Sequence, residues 1–150
     1  MMRAVRIAEA VVAGFGRLGA GLLVAMALAQ VGVLAARKAG LATVAAQEIV
    51  VAVGTFAVLL AVPWALQRRR HVAVDILASR TSRRLGLWLA LALGAGLFAL
   101  AAPYAWSAFE AGERSFEAGG MGGRWVVKAA LPLFALLLAA QALASLARRR

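Results

Sequence analysis

The stretch IVVAVGTFAVLLAVPWAL, residues 49–66, contains 18 consecutive residues without a charged side chain. An α-helix needs about 20 predominantly apolar residues to cross roughly 30 Å of hydrocarbon, so this stretch predicts a transmembrane helix. Comparable apolar runs occupy residues 18–36, 85–109 and 126–147. We therefore expect an all-α membrane protein in which residues 1–150 form a single domain of four transmembrane helices.

Composition and charge agree with this expectation. Hydrophobic residues make up 64% of the chain, against about 45–50% in a typical soluble domain. The net charge of +11 would suit nucleic acid, but the basic residues stand at the ends of the apolar runs, where they define membrane topology. The chain has no cysteine, and His71 is its single histidine, which excludes thiolate metal sites and a bis-histidine haem site. We expect no cofactor, no metal and no nucleic-acid partner.

The distribution of lysine and arginine predicts the orientation in the membrane. Twelve of these residues fall on one side and five on the other. Because cytoplasmic loops are enriched in lysine and arginine, both termini and the middle loop are expected in the cytoplasm. Trp64 and Trp88 flank the middle loop, while Trp106 and Trp125 flank the loop after the third span, as expected for indole rings at the headgroup level. The twelve residues are Arg3, Arg6, Arg17, Arg68, Arg69, Arg70, Arg80, Arg83, Arg84, Arg148, Arg149 and Arg150.

The first apolar run is predicted to be a retained span rather than a cleaved signal peptide. Its 19 residues exceed the roughly 7–15 of a signal-peptide core. Upstream of it, Val5, Ala8, Val12 and Phe15 recur at helical spacing. This pattern is compatible with a helix lying on the membrane surface or with a continuous N-terminal extension of the first span.

Gly14, Gly16 and Gly19 satisfy the pattern G-x-G-x-x-G of dinucleotide-binding proteins. That pattern requires a strand before it and a helix after it in a βαβ unit, whereas here a membrane span follows. We interpret these glycines as small residues that allow close packing of helices. The glycines within the later spans that receive the same interpretation are Gly54, Gly94 and Gly96.

The centres of the predicted spans carry no charged side chain. Gln30 and Gln141 are the sizeable polar residues in spans one and four, and a hydrogen bond to a neighbouring helix is the simplest role for each. A transport path normally has ionisable groups at this depth. Glu48 stands where span two is predicted to begin. A favourable interaction with the helix dipole and a polar contact with a partner are equally good explanations of an acidic residue there.

The middle loop has the most internal order outside the spans. After its basic residues, Val72, Ile76 and Ser79 fall on one helical face, and Asp75 is placed to cap a helix or pair with an arginine. We predict a short amphipathic helix in this cytoplasmic loop.

Taken together, these features resemble the small membrane subunit of the tripartite ATP-independent periplasmic (TRAP) transporters, the DctQ-like family. A glutamate opens the second span, a basic run with a histidine and an aspartate follows it, and a proline lies in the fourth span. The loop after span one departs from the family, since it offers Arg37 and Lys38 but no aromatic residue. The positions that carry the resemblance, and that are candidate contacts with a partner subunit, are Glu48, Arg70, His71, Val74, Asp75, Glu113 and Pro132.

The resemblance implies a multi-pass protein of the bacterial inner membrane with no catalytic activity. In this family a periplasmic binding protein delivers an organic acid to a large permease subunit, which moves it across the membrane using a sodium gradient. The small subunit is similar to a fixed scaffold beside the moving, elevator-type domain. The implied partners are the large permease subunit, the periplasmic binding protein and membrane lipids.

Two other functions remain open from the residues alone. An autonomous four-span exporter acting as a homodimer needs a membrane-embedded acid in span one, and Glu9 precedes that span. A small membrane lipid enzyme needs clustered acidic metal ligands, whereas Asp75 stands alone in the middle loop.

Overall fold

The computed structural model describes residues 2–68 and 80–148, and every regular element in those ranges is an α-helix. Each of the four helices is long and apolar enough to cross a membrane. The predictions of an all-α fold and of four helices with the length and composition of membrane spans are confirmed for these residues. The helices are α1, Met2–Lys38; α2, Val44–Gln67; α3, Arg80–Glu110; and α4, Trp125–Ala147.

The N-terminal segment continues the first span. Helix α1 runs without interruption through 37 residues, which corresponds to about 56 Å at 1.5 Å per residue, longer than the roughly 30 Å of hydrocarbon. In the upstream segment, Val12 is buried in the core and the partly buried Phe15 packs against it. Of the two arrangements compatible with the sequence, the structure therefore has the continuous extension.

Helices α1 and α2 form an antiparallel hairpin whose close approach depends on glycine. A Cβ atom at Gly16 would lie 2.3 Å from Cγ of Trp64, and one at Gly19 would lie 2.8 Å from the carbonyl oxygen of Ala57. Gly54 of α2 likewise makes room for a methionine of α1. The interpretation of these three glycines as packing residues is confirmed. For Gly14 the same interpretation is wrong, because nothing lies within 4 Å of its Cβ position.

Helices α3 and α4 form a second hairpin of the same kind. A Cβ atom at Gly94 would lie 2.9 Å from the carbonyl oxygen of Ala135 in α4. Near the outer end of this hairpin, the rings of Phe109 and Trp125 meet edge to face with centroids 4.9 Å apart. The packing role predicted for Gly96 is wrong, because nothing lies within 4 Å of its Cβ position.

The core lies where α1, α2 and α4 meet. Val12, Leu60 and Leu137, one from each of these helices, are buried against one another. Helix α4 packs on both α1 and α2, whereas α3 packs mainly on α4. The molecule is thus a three-helix cluster with α3 attached to its outside.

Polar contacts show which helix ends lie together. Arg148 forms an ion pair with the side chain of Glu9, and Nε2 of Gln67 donates to the backbone carbonyl of Glu9 over 3.0 Å. The early part of α1 and the ends of α2 and α4 therefore meet at one end of the cluster. The opposite end carries the α1–α2 turn and residues 111–124, which we call the outer loop.

Candidate functional site

Glu48 fastens the outer loop to α2. The hydroxyl group of Ser115 donates to one oxygen of its carboxylate, and the backbone N–H of Met121 donates to the other over 2.6 Å. Helix α2 begins at Val44 with no acidic residue in its first turn, so Glu48 lies beyond the region where the helix dipole acts most strongly. Its observed partners belong to a loop more than 60 residues away.

The outer loop is folded so that it can present these two donors. The backbone N–H of Ser115 donates to the carbonyl of Met121 over 3.1 Å, and that of Arg124 donates to the carbonyl of Glu113 over 2.9 Å. Gly119 has a φ of 75°, which ordinary side chains rarely adopt. Gly119 therefore allows a tight, irregular turn in the outer loop.

Glu113 connects the outer loop to α4. Its carboxylate lies 2.5 Å from Nζ of Lys128, and the same ammonium group stands 4.2 Å from the ring centroid of Tyr104 in α3. Both charged side chains are about four-fifths covered. The sequence did not predict that Lys128 pairs with Glu113. Pro132 follows one turn later, inside α4.

The opposite end of the cluster holds a second ion pair, which the sequence did not predict. Glu9 is buried, and its partner Arg148 is largely exposed. The guanidinium of Arg68 lies 4.5 Å from the ring of Trp64, one turn earlier in α2. Glu9 is the lone acidic residue of a basic N-terminal segment, and that isolation was the available signal that it has a basic partner.

Four candidate positions, together with the amphipathic helix predicted around them, lie outside the described residues. These positions are Arg70, His71, Val74 and Asp75.

The described spans contain few polar contacts. Gln141 is buried and donates to the hydroxyl of Ser145 over 3.1 Å, and Gln30 accepts a hydrogen bond from Gln47 over 3.3 Å. In residues 2–68 and 80–148, no group of three or more histidine, cysteine, aspartate or glutamate side chains is placed to hold a metal ion. The predicted bond to a neighbouring helix is confirmed for Gln30, since Gln47 lies on α2, but it is wrong for Gln141, since Ser145 lies on α4 itself. Neither contact forms a path for a charged solute.

A cavity of about 300 Å³ lies beside Glu48, between the outer loop and the ends of α1, α2 and α4. Arg37, Glu117 and Arg124 give it a charged lining, and Val51 and Val127 give it an apolar one. Its position at the end of the helices separates it from the middle of the membrane.

Comparison with known proteins assigns the chain to a family. Residues 23–150 match the family model described as the DctQ component of tripartite ATP-independent periplasmic transporters. The chain belongs to the DctQ family. Membership makes this DctQ-family chain the small subunit of a TRAP transporter, and the family is one of transporter components rather than enzymes. No curated protein and no solved structure matches the chain.

Proposed function

We propose that this DctQ-family subunit is a fixed scaffold for a large elevator-type permease subunit. In this proposal the complex takes up organic acids using a sodium gradient, with a periplasmic binding protein as the source of substrate. The observation that carries the proposal is the family match over residues 23–150, combined with described spans that have no charged side chain in their central turns.

The exposed faces of the helices support a scaffold. In the most apolar 18-residue stretch of α1, only 11% of the residues are buried within the chain, and in that of α3 only 17% are. Leu28 and Val31 of α1 and Leu100 of α3 are each at least two-thirds exposed. In a membrane such faces are covered by lipid or by another membrane protein, and they provide area on which a large subunit can pack.

The same proposal includes an orientation. Both termini and the middle loop lie in the cytoplasm of a bacterial inner membrane, and the outer loop faces the periplasm. The ion pair of Glu9 with Arg148 supports the first part, since it brings the start of α1 and the end of α4 to one end of the cluster. The excess of arginine at that end supports its cytoplasmic location.

Purification with partners tests the proposal. The tagged chain, extracted from its native membrane in a mild detergent, is expected to bring a large multispanning protein with it. Deletion of its gene is expected to abolish sodium-dependent uptake of an organic acid, and a plasmid copy is expected to restore it. A chain that purifies alone, together with unchanged uptake after deletion, would refute the proposal.

The exporter alternative lacks the residue that it needs. Glu9 lies at the end of the three-helix cluster and is paired with Arg148, so it is not a free acid within the membrane. We expect the purified chain, reconstituted alone into vesicles, to move no cation or drug against a proton gradient. Robust transport by the chain alone would instead establish the exporter.

A further inference from the structure

The cavity beside the outer loop has a charged part and an apolar part at different depths. Arg37 lies near the end of α1 and Arg124 just before the start of α4, so both guanidinium groups are anchored at the ends of spans. Val51 lies about 4.5 Å further along α2 than Glu48, and Val127 lies about 4.5 Å further along α4 than Arg124, at 1.5 Å per residue. The lining thus changes from charged to apolar over the distance at which a bilayer changes from headgroups to acyl chains.

The cavity also opens toward the lipid-facing side of α2. Val51, which lines it, is 59% exposed. A solute dissolved in bulk water does not approach the cavity from this side, whereas a molecule that lies in the bilayer enters through the opening directly.

The two arginines are available to an anionic group. Arg37 makes one hydrogen bond of 3.4 Å, to Thr43, and the guanidinium of Arg124 lies 5.8 Å from the ring of Phe116. The ion pairs seen among residues 2–68 and 80–148 involve neither arginine. Glu48 and Glu117 also line the cavity. Both oxygens of Glu48 already accept hydrogen bonds from the outer loop, and Glu117 is exposed, so its carboxylate can turn to solvent.

We propose that this cavity binds one phospholipid from the leaflet on the outer-loop side. Its phosphate lies between Arg37 and Arg124, because guanidinium groups match the geometry of phosphate oxygens and donate charge-assisted hydrogen bonds. One acyl chain begins along Val51, Ala52 and Val127. A volume of about 300 Å³ holds the headgroup and the first methylenes, and the rest of the lipid lies along the surface of α2. The bound lipid fills the space between α2 and the loop that Glu48 fastens.

Native mass spectrometry of the full chain tests the proposal. Delipidated protein in a mild detergent is titrated with phosphatidylglycerol or phosphatidylethanolamine, and the occupancy of one tightly bound lipid is measured. The double variant R37Q/R124Q is expected to bind that lipid about 100-fold more weakly, at about tenfold for each lost charge-assisted contact. The variant R114Q is the matched control, since it removes an arginine of the same loop that does not line the cavity.

A second variant keeps the charges and fills the apolar part. Ala52→Phe is expected to lower lipid occupancy while both arginines remain. Thermal unfolding in detergent confirms that each variant is folded before binding is compared. Equal lipid binding by wild type, R37Q/R124Q and A52F would overturn the proposal, and so would full competition by soluble glycerol phosphate, which would indicate a site for a small anion alone. Because neither readout involves transport or a partner subunit, failure here is separate from failure of the proposed function.

Discussion

The close contact of Gly16 with Trp64 offers a direct test of how α1 and α2 are held together. Replacing Gly16 by alanine adds one methyl group, whose carbon would lie 2.3 Å from Cγ and 2.4 Å from Cβ of Trp64. Carbon atoms in contact normally stand about 3.5–4.0 Å apart, so the indole ring or the helix has to move by more than about 1 Å. Trp64 packs against the buried core, which limits its freedom to move.

The expected effect can be estimated from these contacts. Overpacking of this kind costs about 1–3 kcal/mol, and the depth of the overlap places Gly16→Ala in the upper half of that range. Alanine returns about 0.8–1.0 kcal/mol through its better helix propensity. The free energy of unfolding is therefore expected to fall by about 1–2 kcal/mol, which shifts the equilibrium toward the unfolded state by roughly 5–30-fold.

Gly14 provides a matched control on the same helix. Nothing lies within 4 Å of its Cβ position, so Gly14→Ala gains the helix propensity without the overlap. Both variants are titrated from mild detergent into sodium dodecyl sulfate, and unfolding is followed by circular dichroism. Gly16→Ala is expected to unfold at a lower detergent fraction than wild type, and Gly14→Ala at the same fraction or a higher one. Equal midpoints for the two variants would refute the packing of Trp64 against Gly16.

Three other predictions address the contacts at the two ends of the cluster. The variants E9Q and R148Q are each expected to lower the free energy of unfolding. Their double-mutant cycle is expected to show a coupling of about 0.5–1 kcal/mol, a small value because Arg148 is mostly exposed. An equally large coupling of Glu9 with Arg6 would contradict the ion pair. Glu48→Ala is expected to release the outer loop and to speed tryptic cleavage after Arg114 several-fold. Glu110→Ala is the control, because Glu110 contacts Trp106 instead, and it is expected to leave the cleavage rate unchanged. Equal cleavage rates in both variants would show that Glu48 does not hold the loop. Because the chain has no cysteine, single cysteines at Ala118 and Ala4 report orientation, and an impermeant maleimide added to intact spheroplasts is expected to label A118C but not A4C; the reverse result would overturn the proposed topology.

Hydropathy predicted the number of helices but not their bounds. It marks the apolar part of a helix, whereas backbone hydrogen bonding continues through the polar residues at each end. Helix α2 therefore begins at Val44 rather than at residue 49, and α1 begins at Met2 rather than at residue 18. This difference matters for Glu48, because a residue placed at a helix start by its sequence lies beyond the first turn in the structure.

The sequence did not predict which distant parts of the chain contact one another. A single sequence does not show which loop reaches Glu48, so Ser115 and Met121 were not predicted as its partners. Glycine was a better guide, since Gly16 and Gly94 do allow close helix packing. Even there, the pattern could not distinguish Gly94 from Gly96, two residues apart on α3, because facing α4 depends on helix rotation rather than on residue type.

The outside position of α3 has a consequence for how the protein is made. The ribosome releases helices in chain order, so α3 enters the bilayer before α4 exists. Since α3 packs mainly on α4, the new helix waits among lipids with the surface around Gly94 uncovered. Once α4 is present, it completes the core by bringing Leu137 to Val12 and Leu60. It also provides the surface on which α3 packs around Gly94. Helix α4 is thus the element that joins α3 to the hairpin of α1 and α2.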